Sequence, residues 1–343
     1  MKINVLLTCV GGEFGPQMLM NLKNSKKHII SVIGVDNDPR AIGKDFCDFF
    51  FIVPRGDDKG YVDTILKIVS EHSVDLVMPT SDEEAVALSE RKNDITSLGA
   101  ELACIDYETL KKLTDKSKTY QALKENNIHT PKWDMVACEQ DLNVCLSEHL
   151  ALGKDLVVKP VKERGGRGVH IISNNIKRRV FSANRREILC NLEDFNENLK
   201  ESLSKSYPLI VMERLKEPVY DLDLLAWKGE AIRVIPRRRV NSAVPNDGHI
   251  IVNEKKLIEL GDKIIKAFNL SWLYDCDVMF DENGNPCVLE INPRQSGSVA
   301  VSIAAGIPFF DDLISLYNGE EVDMDITIPF DKKLIPYKSL HLK

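Results

Sequence analysis

Apolar and polar positions along the first hundred residues alternate between two rhythms. Short apolar runs at 3–7, 29–35, 49–53 and 76–79 have the length and the bounding turn residues of strands. Between them, 16–23 and 61–70 read as helices. This βαβ rhythm predicts a parallel sheet with helices on both faces. Ligands of such sheets sit beyond the carboxyl ends of the strands, where Gly11, Asp36 and Thr80-Ser81-Asp82-Glu83 fall.

A second region begins near Asp106, whose carboxylate can cap a helix running to 113. Asp115-Lys116-Ser117-Lys118 leads into a helix at 119–126, and Thr130-Pro131 ends that pattern. A short strand at 156–159 runs into Glu163-Arg164-Gly165-Gly166-Arg167-Gly168, and 169–172 resumes as a strand, so the glycines form a hairpin tip. The stretch 185–206 reads as a polar helix without a core stripe, which suits a mobile, mostly solvated lid. Strands dominate again from Leu209-Ile210-Val211-Met212 to about Asn292. The division predicted is 1–110 (parallel sheet), 111–208 (small lid domain), 209–325 (larger domain with a metal site) and 326–343 (tail).

Chemistry concentrates at the end of that last region, in Val288-Leu289-Glu290-Ile291-Asn292-Pro293-Arg294. Strand side chains alternate faces, so Glu290 and Asn292 point the same way. A carboxylate inside an apolar run is costly unless it meets a cation or hydrogen-bond donors. Asp277, in Cys276-Asp277-Val278-Met279-Phe280, faces Glu290 if the loop spans 282–285, and two acids converge comfortably only around a cation. Oxygen ligands beside Arg294 suit magnesium clamped to phosphate, against the plainer reading of a hairpin with a solvated polar end.

Lys159-Pro160 followed by Gly165, Gly166 and Gly168 is the second signal. Small residues let backbone N–H groups approach a polyphosphate, and a lysine adds a point charge. The loop joins strand to strand and lacks the Walker order, so it is either a phosphate loop of another kind or a flexible tip. Met212-Glu213-Arg214-Leu215 ends a strand where backbone groups could read an adenine edge, or is an exposed Glu-Arg pair. Arg237 and Arg239 share a strand face suited to a phosphate or carboxylate, or to a solvated edge.

Composition narrows the class. The chain has 343 residues, 43% hydrophobic and 28% charged, as expected of two or three globular domains. A net charge of -7 gives no global attraction to nucleic acid or anionic lipid, and no apolar run approaches the ~20 residues that span a bilayer. The N-terminus reads as a first strand rather than a signal peptide. Eight scattered cysteines without a Cys-x-x-Cys pair read as reduced core thiols of a cytoplasmic protein.

In order, these pieces resemble the ATP-grasp superfamily, most closely its carbamoyl-phosphate-synthase-like carboxylate–amine ligases, to about residue 320. The series is Asp115-Lys116, Ile128-His129-Thr130-Pro131, Val157-Val158-Lys159-Pro160 with its glycines, Met212-Glu213-Arg214-Leu215, Asp277 and Glu290-Ile291-Asn292-Pro293-Arg294. The resemblance implies an α/β ATP-grasp fold with a Rossmann-like N-terminal domain, a small lid and a C-terminal α+β domain. It implies that Lys116 and Lys159 contact ATP phosphates, that the 165–168 loop closes over them, and that Glu213 and Leu215 hold adenine. Asp277, Glu290 and Asn292 would ligate magnesium, two ions with manganese as a substitute, and Arg294 would stabilise the transferred phosphoryl group. Arg237 and Arg239 would fix the acyl phosphate or carboxylate. The implied partners are a small-molecule carboxylate and an amine, the latter near Gly12, Asp36 and Ser81, and the implied assembly is a homodimer. One departure stands out: where a ribose-binding glutamate is expected the chain reads Glu217-Pro218-Val219-Tyr220-Asp221, so Glu217 substitutes or the ribose is held differently.

Two rivals come from other classes. Gly12, Gly15 and Asp36 partly match a dinucleotide fingerprint, pointing to an NAD-dependent oxidoreductase, but Val10 stands where the first glycine belongs. A regulator that binds ATP without chemistry is the other, and the full set Asp277, Glu290, Asn292 and Arg294 speaks against it.

Overall fold

The computed structural model describes residues 2–162, 167–177, 179, 187–337, 339 and 341. Three sheets organise them. The first contains β1 (Lys2–Leu7), β2 (Ile29–Asp36), β3 (Phe49–Ile52), β4 (Leu76–Met78) and β5 (Glu101–Leu102), all parallel in the order β3-β2-β1-β4-β5. The last seven residues of β2 are buried, as expected for a strand covered on both faces. The helix Tyr61–Glu71 buries Tyr61, Val62, Ile65, Ile68 and Val69, spaced for one helical face. Strand order reverses between β1 and β4, the place where such sheets open a crevice.

The second sheet contains β6 (Trp133–Val136), β7 (Leu156–Pro160), β8 (His170–Ile172), β9 (Ile188–Cys190) and β10 (Leu209–Glu213), ordered β6-β10-β7-β8-β9. Leu209–Glu213, expected to open the third region, is thus an interior strand of the second sheet, paired antiparallel with β6 and β7. The expected polar lid helix is also different. Its described part is a strand followed by short helical turns, and Phe195, Leu199 and Leu203 are buried against Leu142, Leu146 and Val158. These apolar residues recur every fourth position, a narrow stripe easily overlooked among the six polar residues between them.

The third sheet contains β11 (Lys216–Trp227), β12 (Glu230–Arg239), β13 (His249–Ile251), β14 (Trp272–Phe280), β15 (Pro286–Asn292) and β16 (Lys333–Leu334), ordered β15-β14-β11-β12-β13-β16 and antiparallel throughout. The helix Lys255–Ala267 lies on it through Leu257, Leu260, Ile264 and Ile265. Gly261 permits the approach: a Cβ there would stand 2.5 Å from Val234 Cγ1. The first and third sheets share one apolar core, into which the helices Gly15–Lys23 and Phe309–Tyr317 contribute Met18, Leu22, Phe310 and Leu313. Tyr274 on β14 accepts a hydrogen bond from the backbone of Ile105 at 2.9 Å, fastening the two further.

Candidate active site

Four neighbouring strands of the third sheet carry polar residues at alternate positions. These are Arg237 and Arg239 on β12, Asp221 and Asp223 on β11, Asp275 and Asp277 on β14, and Glu290 and Asn292 on β15. Register aligns Asp221 with both Arg237 and Asp277, Asp223 with Asp275, Asp277 with Glu290, and Asp275 with Asn292. Directly opposed residues share a face, so the eight side chains form one polar grid in an otherwise apolar sheet.

The Asp277–Glu290 pairing arises differently from the expected hairpin. The loop leaves after Phe280, which pairs with Pro286, one residue out of the anticipated register. An irregularity after Asp277 places Leu289 as an extra residue and brings Asp277 back opposite Glu290. The Leu289 carbonyl accepts from the Tyr120 hydroxyl at 2.7 Å, and the Val288 N–H donates to His129 at 3.0 Å.

Four cations approach this grid. Lys116 begins the helix Lys116–Glu125, capped by Asp115, and reaches Glu290 Oε2 at 2.9 Å. Lys159, near the end of β7, donates to the Tyr120 hydroxyl at 3.0 Å. Arg239 donates from Nε to Asp221 at 2.9 Å and from Nη2 to Asp277 at 2.8 Å. Arg294 donates to Asp82 at 3.0 Å and to Asn292 Oδ1 at 3.2 Å. Asp82 starts a helix on the first sheet, so that sheet contributes directly to the grid's edge.

Electrostatics follow from burial and these partners. Burial pushes the Asp277 carboxyl up to about 6, opposed by Arg239 and assisted by Asp221 and Glu290. Burial and the Asp277 charge likewise hold Asp275 well above the usual carboxylate range. Asp221 sits well below that range despite its burial, because Arg239 and His249 outweigh it. Burial also disfavours the Glu290 carboxylate, yet Lys116 and Lys159 keep it below its ordinary value. Burial lowers Lys159, with Glu290 and Asp277 resisting.

Several expected site residues are placed otherwise. Arg237 is fully buried and donates to Asp223 and Ser298, at 2.8 and 2.9 Å, so it braces the sheet and presents nothing to a substrate. The Glu213 carboxylate accepts from the Lys132 N–H at 2.9 Å through Oε1 and the Glu213 N–H donates to the Lys132 carbonyl, which ties down the loop beside the end of β10. Leu215 lines a small apolar cluster with Val219, Met279 and Cys287. Glu217 is exposed at the start of β11. Gly165 and Gly166 lie outside the described residues; Gly168 adopts φ +65°, where a Cβ would press on Pro160 at 3.0 Å. Asp36 is buried and accepts from the N–H groups of Gly11 and Asp38, at 2.7 and 2.9 Å, so it is not offered to a ribose and the dinucleotide reading loses its acid. Ser81 donates to Glu84, which also accepts from Thr8.

The sequence reading missed Tyr120, Asp223 and Asp275; it placed Asp82 at the end of the first sheet without giving it a role, and met Asp221 only in the ribose neighbourhood. Among the described residues the acidic groups that approach within 4.8 Å of one another here are Asp221, Asp275 and Asp277. A second mixed group, Asp134, Cys145 and His149, is a poor ligand set, since Cys145 packs in the apolar core of the second sheet and burial pushes its thiol up to about 11. Oxygen donors from Asp277, Glu290 and Asn292 fit a hard cation such as magnesium, and the elevated Asp277 and Asp275 are the response expected of carboxylates crowded without one.

Residues 205–334 match a family described as ATP-grasp in the biosynthetic pathway with Ter operon, and residues 5–103 match a PylC-like N-terminal domain. Residues 205–334 thus carry an ATP-grasp family match, and the fold as a whole is the ATP-grasp fold. It is 22% identical over 315 residues to the arginine-specific carbamoyl phosphate synthase large chain of Bacillus subtilis, covering 87% of this chain and 28% of that protein. The Archaeoglobus fulgidus carbamoyl phosphate synthase large chain is 25% identical over 319 residues, with 86% and 28% covered. The chain therefore spans little more than a quarter of the length of these relatives. Among solved ATP-grasp folds, N5-carboxyaminoimidazole synthetase from Staphylococcus aureus, complexed with ADP, superposes with a TM-score of 0.71 at 17% identity, covering 97% of this chain and 82% of that one. An L-amino acid ligase from Bacillus licheniformis gives 0.63 at 16% identity, with 92% and 73% covered. No helix among the described residues is long and apolar enough to cross a membrane.

Proposed function

We propose that this ATP-grasp protein is an ADP-forming ligase that activates a small-molecule carboxylate as an acyl phosphate and joins it to an amine, an amino acid being the default substrate. The observation that carries this reading is the convergence of Lys116, Lys159, Arg239 and Arg294 on Asp277, Glu290 and Asn292. A lone metal site would not need four cations, and a lone anion site would not need the carboxylates.

In this reading a carboxylate oxygen of the substrate attacks the terminal phosphorus of ATP, and the bond to the bridging oxygen breaks to release ADP. The amine nitrogen then attacks the acyl carbon, the carbon–oxygen bond to phosphate breaks, and the amine loses a proton. Lys116 and Lys159 contact the nucleotide phosphates. Asp277, Glu290 and Asn292 hold magnesium, which when bound neutralises charge on the phosphoryl group in flight. Arg294 stabilises that group from the side of the first sheet, and Arg239 fixes the carboxylate or acyl phosphate. Leu215 and its apolar neighbours receive the adenine. The eight cysteines, none of them in a disulfide, suit a reducing, cytoplasmic setting.

Incubation with ATP, magnesium and pools of carboxylic acids and amines, followed by assay of ADP and phosphate and by mass analysis of products, tests the proposal. Amine-dependent ADP release with a new amide mass supports it. Absence of stimulated ADP release with every pool sinks it.

A further inference from the structure

Tyr120 joins two parts of the site that come from different sheets. It lies four residues after Lys116 on the helix Lys116–Glu125, so both side chains face the same way. Lys116 engages Glu290, while the Tyr120 hydroxyl donates to the neighbouring Leu289 carbonyl at 2.7 Å. The same hydroxyl accepts from Lys159 at 3.0 Å, and Lys159 sits over the ring at 5.5 Å from its centre. Its ring is fully buried against Trp133 at 5.5 Å.

The consequence is geometric. Leu289 is the extra residue that returns Glu290 to its place opposite Asp277. A donor on its carbonyl fixes the bulge and therefore the aim of Glu290. An acceptor for Lys159 fixes an ammonium that has four flexible methylenes behind it. One hydroxyl performs both, using its single proton in one direction and a lone pair in the other.

We infer that Tyr120 is a positioning residue that sets Lys159 and Glu290 relative to each other, so that the nucleotide phosphates and their metal are gripped in register. This rests on the nucleotide site proposed above. Burial of the hydroxyl beside two charged groups also explains why phenylalanine, equal in shape, would not serve equally.

The test compares MgADP affinity by calorimetry in the wild type, Tyr120→Phe and Tyr274→Phe. Tyr274 has an equally buried hydroxyl, bonded to the Ile105 N–H and away from the lysines, so it controls for loss of a buried hydrogen bond. Tyr120→Phe is expected to weaken MgADP binding about tenfold, the scale of one hydrogen bond to a charged group. Tyr274→Phe should leave affinity within about twofold even if both variants melt at a lower temperature. In a Lys159→Met background, adding Tyr120→Phe should cost less than it does alone, because part of its effect acts through the lysine. Unchanged affinity in Tyr120→Phe, or equal losses in the two tyrosine variants, overturns the inference alone. Wild-type protein that binds no MgADP overturns both it and the nucleotide reading.

Discussion

Arg294 donates from Nε to Oδ1 of Asp82 at 3.0 Å, across 212 positions of sequence. The pair joins the end of β15, where Arg294 follows Asn292 and Pro293, to a helix at the crevice between β1 and β4. Arg294 also donates to the Gln295 carbonyl and to Asn292, so its guanidinium is held on several sides. A carboxylate that pairs with an arginine fixes the plane of its guanidinium, which is a means of preorganising it toward an incoming anion.

Replacing Arg294 by methionine should therefore lower kcat for ADP release by about 100-fold or more, the scale of removing one preorganised cationic donor. Asp82→Asn should lower it less, by about tenfold, since the amide oxygen still accepts. In the double variant the effects should not add, because Asp82 acts through Arg294. Strictly additive losses in steady-state assays would separate the two residues functionally.

Glu290→Gln keeps the shape of the side chain and removes its charge. Lys116 then loses its ion partner, and Asp277 loses the neighbour with which it would share a cation. Magnesium-dependent nucleotide affinity should fall at least about tenfold, while thermal stability changes modestly because the position is partly solvated. Titrating magnesium into the ADP-bound protein measures this, and an unchanged apparent affinity would remove Glu290 from the metal set.

How much of this was readable beforehand depended on the kind of signal. The βαβ rhythm gave the first sheet, because fully buried parallel strands are plain apolar runs such as 29–35. The Asp277–Glu290 pairing was legible in outcome only: the loop is one residue longer than expected and the Leu289 bulge compensates. Asp221, Asp223 and Asp275 were passed over although each sits two residues from another polar residue inside an apolar strand. Four such pairs, Asp221/Asp223, Arg237/Arg239, Asp275/Asp277 and Glu290/Asn292, were a period-two signal that only strand pairing turns into a site. Arg237 misled for the same reason. Its partner Asp223 is 14 positions away, and nothing local reveals that the charge is already neutralised.

The pH dependence of cation binding follows from Asp277. Burial pushes this carboxyl up to about 6 in the metal-free protein. A cation binds the carboxylate, so below that pH binding must displace a proton. Magnesium affinity should rise with pH up to about 6 and flatten above it. The same shift makes the unbound fold relatively less stable as pH climbs from the ordinary carboxylate range to about 6, because the folded state keeps the proton longer than the unfolded chain. Calorimetric titration of manganese or magnesium between about pH 5 and pH 7 checks the first part. An affinity flat across that interval would place the cation away from Asp277.

Arg237 and Asp223 provide a prediction about stability that is independent of chemistry. Both side chains are fully inaccessible, the guanidinium contacts both Asp223 oxygens and Ser298, and Ser302 donates to Asp223 Oδ2. Truncating one partner of a buried pair leaves the other charged in a low-dielectric interior, a loss of about 3–5 kcal/mol. Arg237→Met should therefore lower the urea midpoint strongly with little change in its slope. Asp223→Leu alone should do the same. The combined variant should recover most of the loss, since two apolar side chains in place of the pair bury no charge. If Arg237 contacted substrate instead, Arg237→Met would leave the unfolding midpoint nearly unchanged and abolish turnover. Urea denaturation followed by circular dichroism, with MgADP binding measured on each variant that remains folded, distinguishes the brace from the catalyst. The folded double variant should still bind MgADP, because Lys116 pairs with Glu290 and Lys159 with Tyr120.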